Sequence, residues 1–146
     1  MENIDTCVSF LSAKAAQAVA RASRARLATH GVTPFQYAVL QVLWEEDGQS
    51  GAQLGNRLFA DSATITGVLD RLEKLGLVVR RADAADRRVN LIFLTADGRR
   101  RQAELQAVMD GLNDEVAQHF GEQAPLLWAL LEKLATFSPG ERNGNV

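Results

Sequence analysis

The segment between Ser50 and Leu94 constrains the fold of this 146-residue chain more than any other stretch. It predicts a short helix over Gly51 to Phe59 that is buried through Leu54, Leu58 and Phe59. A turn and a second helix, over Ser62 to Leu75, are predicted to follow. Two short strands, Leu77 to Arg81 and Val89 to Leu94, follow and are joined by a charged turn. Two helices, a strand, a charged hairpin and a second strand are the element order of a winged helix-turn-helix. A mainly α fold with a small β-hairpin wing is therefore predicted.

The helix that begins near Ser62 divides into an apolar face and a small, polar face. At roughly 100° per residue, Ile65, Val68, Leu69 and Leu72 share one side. Small residues let a helix enter a major groove, and hydroxyl groups can bond phosphate or base edges. An ordinary amphipathic surface helix would divide in the same way, so this helix alone does not decide the function. The residues predicted to contact DNA from it are Ser62, Ala63, Thr64, Thr66, Gly67 and Arg71.

The charged turn between the strands favours DNA binding. Its Arg87 and Arg88 are suited to a narrow minor groove, where the negative potential is strongest. Asp86 can hold a neighbouring Arg in one orientation and so lower the entropy lost on insertion. A solvated turn is the usual interpretation of an isolated run of charges. Because a helix that fits a major groove lies close to this turn in the sequence, DNA binding is favoured over a solvated turn.

The distribution of charge agrees with DNA binding by one surface. The net charge is −2, which argues against indiscriminate binding of nucleic acid. From Arg57 to Arg101, however, there are ten Lys or Arg and six Asp or Glu, a local charge of +4. The remainder of the chain holds six basic and twelve acidic residues, a charge of −6. A basic centre between acidic arms is typical of a protein that faces phosphate on one side, although chance clustering on a solvated face is the alternative.

Long helices flank this central region. Residues 4 to 28 are predicted to form one helix of roughly 36 Å at ~1.5 Å per residue, more than a small core can cover. A second long helix is predicted from Thr95 to Phe120, and a last one from Pro125 to Phe137. Part of the first helix is therefore expected to pack against another subunit. Its apolar stripe, spaced by three and four residues, consists of Ile4, Val8, Leu11, Ala15, Ala18, Ala22 and Ala25.

The chain is long enough for one domain with its own core. We expect a single domain over 1–146, with the winged helix-turn-helix at 33–98. Dimerisation helices are expected at 1–30 and 99–138, and a frayed tail at 139–146.

Several classes of protein are disfavoured by the sequence. One cysteine leaves no disulfide within a chain and fits a reducing compartment. No apolar run approaches the roughly 20 residues of a membrane helix, and no secretory signal is visible, so a cytoplasmic protein without a membrane partner is expected. His30 and His119 are the two histidines, and no nucleophile motif, phosphate loop or carboxylate pair accompanies them. We expect neither an enzyme, nor a cofactor, nor a metal site.

The sequence resembles the MarR family of bacterial transcriptional regulators over nearly half of its length. The resemblance lies in the motifs Thr33–Tyr37, Leu54–Leu58, Leu69–Glu73, Gly76–Arg80, Asp83–Arg88 and Leu94–Gly98.

This resemblance implies a homodimer with intertwined N- and C-terminal helices. Its two winged helices would bind a double-stranded, pseudo-palindromic operator, with the helix Ser62–Leu75 in the major groove. In the family the wing tip, here Asp86 and Arg88, orients an Arg toward the minor groove. The family commonly represses genes and leaves DNA when a small, often phenolic, ligand or an oxidant acts near the dimer interface.

Two hypotheses describe how DNA release would be controlled. In the first, an aromatic carboxylate or a phenol binds between the first, second and fifth helices. The aromatic and polar residues expected near that cavity are Arg21, His30, Tyr37 and Trp44. The alternative is that Tyr37 and Trp44 are simply part of the core.

The second hypothesis is oxidation of Cys7, because hydroperoxide-sensing members of the family carry a reactive Cys near the start of the first helix. The sequence departs from that group in two ways. Cys7 is followed by Val8, Ser9 and Phe10 rather than by the group's aromatic pattern. Pro34 stands where the group has a tyrosine that supports the thiolate. In addition, no cationic residue lies within a helical turn of Cys7 to favour its thiolate form. A bystander thiol is therefore the alternative interpretation.

Overall fold

The structure, a computed structural model, describes residues 3–140. In this part of the chain, helices dominate and three short strands form one antiparallel sheet, so the predicted fold class is confirmed. The helices are α1 (Val8–Ala28), α2 (Pro34–Glu45), α3 (Gly51–Leu58), α4 (Ser62–Lys74), α5 (Ala96–Arg100), α6 (Gln102–Phe120) and α7 (Ala124–Ala135). The strands are β1 (Gln49–Ser50), β2 (Val78–Ala82) and β3 (Asn90–Leu94). Of the tail predicted to fray, residues 141–146 lie outside the described residues.

The start of the first helix differs from the prediction. Ile4–Thr6 forms a separate 3-10 helix, capped by Asn3, whose side chain accepts a hydrogen bond from the N–H of Asp5. Cys7 then has extended backbone angles, φ −73° and ψ 116°, and α1 begins only at Val8. The prediction of one helix over residues 4 to 28 was wrong at this end, because the extended Cys7 interrupts it.

Capping side chains fix the ends of the next helices. Thr33 and Gln36 form a reciprocal capping box at the start of α2, with Pro34 in the first turn. Ser50 and Gln53 do the same for α3. The core that these helices surround is made of fully buried aliphatic side chains, including Leu27, Val39, Leu40, Leu43, Leu54, Leu72, Ile92 and Leu105.

Phe59 ends α3 in the left-handed conformation, with φ 53° and ψ 41°. It was expected to be buried with Leu54 and Leu58, but 92% of its surface is exposed. That expectation was wrong because Phe59 has already left the helix and does not continue its apolar face.

The sheet has the strand order β1-β3-β2. β2 and β3 pair from Val78 opposite Leu94 to Ala82 opposite Asn90, within one residue of the predicted strands. β1 pairs Gln49 with Ile92 and Ser50 with Leu91 and was not predicted. Two residues are too few to show a period, so only the partner strand reveals β1.

The helix predicted from Thr95 to Phe120 is divided at Arg101. The guanidinium of Arg101 donates to the backbone oxygen of His30 at 2.5 Å and to Oε2 of Glu104 at 3.2 Å. His30 Nδ1 also donates to Oε1 of Glu104. These contacts join the end of α1 to the break between α5 and α6. The prediction of one continuous helix was therefore wrong at Arg101.

Gly98 allows a close approach between α5 and the wing. A Cβ atom added there would lie 2.2 Å from the backbone oxygen of Leu77, far inside contact distance. Thr95 caps α5 by accepting from the N–H of Gly98 at 3.0 Å, and its hydroxyl donates to the backbone oxygen of Gly76. The base of the wing is thus bonded directly to the start of α5.

The chain forms two compact units, one up to Met109 and one from Asp110 onward. The first unit contains the sheet, α1 to α5 and the start of α6. The second contains the rest of α6, a 3-10 turn and α7. In α7 the large apolar side chains are mostly exposed: Leu126, Trp128, Leu130, Leu131 and Leu134. No helix among residues 3–140 is long and apolar enough to cross a bilayer.

Candidate nucleic-acid interface

The outer face of α4 is exposed and carries small side chains. Ile65, Val68, Leu69 and Leu72 are buried, as predicted, and fix which side of the helix faces out. Gly67 lies on the outer side, where an added Cβ would meet nothing within 4 Å. A glycine in the middle of a helix lowers the stability of the helix by about 1 kcal/mol relative to alanine. No neighbouring atom in this unit packs so close to Gly67 that a side chain is excluded. The predicted contact residues on this surface are exposed, apart from half-exposed Gly67: Ser62, Ala63, Thr64, Thr66 and Arg71.

Asp61 occupies the N-terminal end of α4. Its Oδ1 accepts a hydrogen bond from the N–H of Thr64 at 2.7 Å. Hydrogen bonds from the Thr64 backbone and side chain hold the pKa of Asp61 below its usual value. A carboxylate that stays charged at neutral pH therefore already satisfies part of the helix terminus, where a phosphate would otherwise be favoured.

The tip of the wing holds Arg88 in one orientation. Asp86 accepts from Nε of Arg88 at 3.1 Å and from Nη2 at 3.2 Å, and also from its backbone N–H at 3.1 Å. These bonds, the side-chain one first, lower the pKa of Asp86, so it is charged at neutral pH. The Arg88 side chain is nevertheless 91% exposed. The cation is oriented and still open to a partner.

The turn that carries these residues is bonded within itself. The N–H of Asp83 donates to the backbone oxygen of Val89 at 2.8 Å, and the N–H of Val89 donates to that of Asp86 at 3.0 Å. Oδ1 of Asp83 accepts from the N–H of Ala85 at 3.0 Å. Arg87 is exposed between them. These hydrogen bonds give the turn a defined shape.

Arg80 joins the wing to α4 and was not among the residues selected from the sequence. Its guanidinium lies 2.7 Å from Oδ1 of Asp70 and 3.3 Å from Oε1 of Glu73. Asp70 and Glu73 are one helical turn apart, a spacing visible in the sequence. Their contact with β2 depends on how the strand packs, which the sequence does not show.

A concave surface lies between α4, the start of α3 and the wing. Its volume is about 680 Å³, and Ser50, Thr66, Asp70, Arg80 and Asn90 are among the polar residues that line it. Helix, concavity and wing tip all belong to the unit that ends at Met109. This arrangement can receive a nucleic-acid backbone between a groove-sized helix and an Arg-bearing hairpin.

Comparison with known proteins decides the family. A model described as the MarR family matches residues 32–89. The HTH-type transcriptional regulator TtmR of Methylorubrum extorquens (strain PA1) is 43% identical over 135 residues, which cover 92% of this chain and 67% of that protein. The organic hydroperoxide resistance transcriptional regulator of Bacillus subtilis (strain 168) is 32% identical over 106 residues, 70% of this chain and 72% of that protein. The chain belongs to the MarR family.

Solved structures agree with this assignment. A probable transcriptional regulator from Pseudomonas aeruginosa is 34% identical with a TM-score of 0.80, over 90% of this chain and 99% of that chain. Reduced AbfR bound to DNA is 28% identical with a TM-score of 0.74, over 88% and 90% of the two chains. CouR from Rhodococcus jostii RHA1 bound to p-coumaroyl-CoA is 27% identical with a TM-score of 0.78, over 92% and 93%. This MarR-family chain is a DNA-binding transcriptional regulator.

The predicted ligand residues of this MarR-family chain lie in different surroundings. The rings of Tyr37 and Trp44 meet edge to face, with centroids 6.0 Å apart. The indole N–H of Trp44 donates to the backbone oxygen of Gly98 at 3.0 Å. His30 is engaged with Glu104, and Arg21 lies on the exposed surface of α1. The structure thus brings the two aromatic residues together and shows other partners for His30.

Cys7, the predicted redox residue, is a half-buried free thiol just before α1. Among residues 3–140 there is no group of three or more His, Cys, Asp or Glu side chains arranged to hold a metal ion.

Proposed function

We propose that this chain is a repressor that acts in the bacterial cytoplasm and binds a pseudo-palindromic operator as a homodimer. The observation that carries the proposal is Arg88, which Asp86 orients with two side-chain hydrogen bonds while 91% of it stays exposed. An oriented cation on a hairpin loses little entropy when it enters a minor groove. In the same unit, α4 offers a small outer face to the major groove. The proposed contacts are Ser62, Ala63, Thr64, Thr66, Gly67, Arg71, Asp86, Arg87 and Arg88.

Exposed apolar side chains support the homodimer. Val8, Phe10, Leu11 and Val19 are exposed on the first unit, and the exposed leucines of α7 belong to the second. Apolar patches of this kind mark surfaces that another chain covers. A second copy that covers them would relate two winged helices by a two-fold axis. The two half-sites would then lie about 10 bp apart, one turn of the duplex.

Base recognition in this proposal is shared among several elements. The first two turns of α4 contain no Asn, Gln or Arg, which are the strongest readers of base edges. The groups of α4 that can still contact base edges are Arg71 and the hydroxyl and methyl groups of Thr64 and Thr66. The operator would be recognised by these groups together with Arg88 and the shape of the DNA.

DNA selection tests this proposal without knowledge of the operator. Full-length protein is used to enrich duplexes from a random library, and sedimentation measures the mass of the free protein. We expect enriched sequences with two inverted half-sites about 10 bp apart and a mass twice the chain mass of 15.9 kDa. A single unpaired half-site or a monomer would contradict the proposal.

Small aromatic or phenolic ligands are the proposed effectors, with Arg21, His30, Tyr37 and Trp44 as the predicted binding residues. The edge-to-face pair of Tyr37 and Trp44 provides an aromatic surface, and the structural neighbour CouR has been solved with p-coumaroyl-CoA. Calorimetric titration with a panel of aromatic acids tests this idea. Binding that weakens in Tyr37→Ala supports it, and no binding at millimolar concentration contradicts it.

Oxidation of Cys7 is the second candidate for control. One relative is an organic hydroperoxide resistance regulator, and Cys7 is a free thiol beside the start of α1. Cumene hydroperoxide would then release the selected duplex from the wild-type protein but not from Cys7→Ser. Release that persists in Cys7→Ser would eliminate thiol control.

A further inference from the structure

Phe59 combines a strained backbone with an exposed aromatic side chain. Among residues 3–140 it is the only non-glycine residue with a positive φ, 53°, a region that is unfavourable for a residue with a Cβ atom. Its surface is 92% exposed, and no other large apolar residue in the described part of the chain is as open to solvent. A glycine at this position would avoid both the strain and the exposed ring. A residue that is strained and exposed at once is a candidate for a functional contact.

The turn that carries Phe59 has a constrained backbone. The N–H groups of Phe59 and Ala60 both donate to the backbone oxygen of Gly55. A Cβ atom added at Gly55 would lie 2.8 Å from the backbone oxygen of Ala60, so the turn packs closely against α3. Asp61 then caps α4 by accepting from the N–H of Thr64. Because the backbone is held on both sides of Phe59, the ring projects from a defined place.

Phe59 lies beside the part of α4 that is proposed to enter the major groove. Ser62, the first proposed DNA contact, is three positions further along the chain, so the Cα atoms of the two residues are at most roughly 11 Å apart. Most of the other exposed apolar side chains lie on α1 and α7, the helices that a second copy of the chain would cover. Phe59 therefore extends the proposed DNA-binding surface rather than the proposed dimer surface.

The charges near Phe59 favour an apolar contact over a phosphate contact. Asp61 is negatively charged at neutral pH, because hydrogen bonds from the Thr64 backbone and side chain lower its pKa. Arg57, the cation near the end of α3, is paired with Glu45 at 3.2 Å. Phosphate oxygens are therefore disfavoured beside the ring. In the major groove, the apolar group that a base presents is the C5-methyl group of thymine, against which an aromatic side chain can pack.

We propose that Phe59 packs against the C5-methyl group of a thymine in each half-site and thereby contributes to the sequence preference of the protein. This inference rests on the proposed function, because it requires α4 to lie in the major groove. The contact removes the ring from water, and the left-handed backbone is what places the ring at the edge of the groove. It also supplies base discrimination that the first two turns of α4 lack, since they contain no Asn, Gln or Arg.

DNA titration tests the contact when each thymine of one half-site of the selected duplex is replaced in turn by deoxyuridine. This replacement removes only the methyl group. At one thymine we expect wild-type protein to bind about fourfold more weakly, the effect of withdrawing one methyl group from an apolar contact. Phe59→Ala and Phe59→Gly should bind the unmodified duplex about tenfold more weakly, because the contact is lost in both half-sites. Neither variant should respond to deoxyuridine at that thymine.

Thermal unfolding and a second exposed residue provide the controls. Phe59→Gly should leave Tm unchanged or raise it, because relief of the left-handed strain offsets the added freedom of glycine in the unfolded chain. Phe59→Ala removes the ring without that added freedom, so an equal DNA defect in both variants excludes a loosened turn as its cause. Leu75→Ala, at the opposite end of α4, also removes an exposed apolar side chain and should bind the duplex as wild type does.

Several results would overturn the inference. Wild-type affinity in both Phe59 variants would show that the ring does not touch the duplex. Half-sites without thymine, or a DNA defect with the same deoxyuridine response as wild type, would show that no thymine methyl group is contacted. A Phe59→Gly protein that sediments as a monomer would place the ring between subunits. If wild-type protein enriched no duplex, the operator proposal itself would fail and this inference with it, whereas an enriched duplex establishes the operator before Phe59 is tested.

Discussion

Nη2 of Arg80 lies 2.7 Å from Oδ1 of Asp70, so an ion pair joins a strand of the wing to the exposed side of α4. Glu73, one turn further along α4, lies 3.3 Å from Nη1 of the same side chain. Arg80 is the least exposed of the three, and its planar guanidinium has a separate nitrogen for each carboxylate. The helix and the hairpin that are proposed to enter adjacent grooves are thereby held at a fixed separation. Exposed ion pairs contribute little to stability, so their effect should be on geometry.

Removal of this connection should affect DNA binding more than folding. We expect Arg80→Ala to weaken binding of the selected duplex by ~1 kcal/mol, about fivefold, with little change in Tm. The salt dependence of binding separates two roles for Arg80. A phosphate contact would lower the slope of log affinity against log salt by about one, whereas a positioning role leaves it unchanged. Arg57→Ala, which removes an ion pair on α3, is the control and should bind DNA as wild type does.

Among the residues of the wing, Arg88 should be the one whose substitution weakens DNA binding most. Arg88→Ala is expected to weaken DNA binding by about 1–3 kcal/mol at fixed salt, because one oriented groove contact is lost. Asp86→Asn keeps the cation but loses the charged acceptor, so it should show a smaller defect in the same titration. Unchanged affinity in Arg88→Ala would refute the assignment of the wing.

The hydrogen bonds from Arg88 to Asp86 should persist throughout the physiological pH range. The folded pKa of Asp86 is lowered, so its interaction with Arg88 is fully present above the unfolded value of about 3.9 and is lost as pH falls through the lower folded value. The ratio of DNA affinities of wild type and Asp86→Asn should therefore be constant between about pH 5.5 and pH 8. A ratio that changes severalfold in that range would show that another titrating group controls the wing.

Gly67→Ala should raise the stability of the protein and weaken its binding to DNA. Nothing lies within 4 Å of the added Cβ, and Ala is favoured over Gly in a helix by about 1 kcal/mol, so Tm should rise by about 2–4 °C. DNA binding should weaken, because the methyl group occupies the surface that approaches the groove. Gly111→Ala on α6 also adds a Cβ in open space and should raise Tm without the DNA defect. Equal DNA affinity in both variants would show that α4 does not approach DNA at Gly67.

Glu104 contacts both His30 and Arg101, and we expect these contacts to make the stability of the folded protein depend on pH. The hydrogen bond from His30 is the main cause that lowers the pKa of Glu104, with Arg101 adding to it. The stabilisation is therefore complete above the unfolded pKa of about 4.3 and disappears as pH falls through the folded value. Glu104→Gln should lower Tm at pH 7 and have a much smaller effect near pH 3. Thermal unfolding at both pH values measures this, and an equal effect at both would contradict the assignment.

α4 and the wing could be predicted because the residues that specify them lie close together in the sequence. The apolar residues of α4 recur with the helical period, and its turn and capping residues are adjacent in sequence. Contacts over long distances in the sequence were missed. β1 exists only because β3 pairs with it, and the contacts of Arg101 with His30 and of Arg80 with Asp70 require packed elements. Phe59 was misassigned because its left-handed backbone, which takes it out of the helix, leaves no mark in the pattern of apolar residues.

The carboxylate of Asp61 at the start of α4 has a consequence for how quickly the protein finds its site. It places a fixed negative charge where the helix would first meet the duplex, and the whole chain carries a net charge of −2. Attraction to arbitrary DNA depends on the number of phosphates that are neutralised, so such a charge shortens each visit to an unrelated sequence. Brief visits leave more of the protein free to sample the chromosome. We therefore expect Asp61, which caps the start of α4, also to speed the search for the operator.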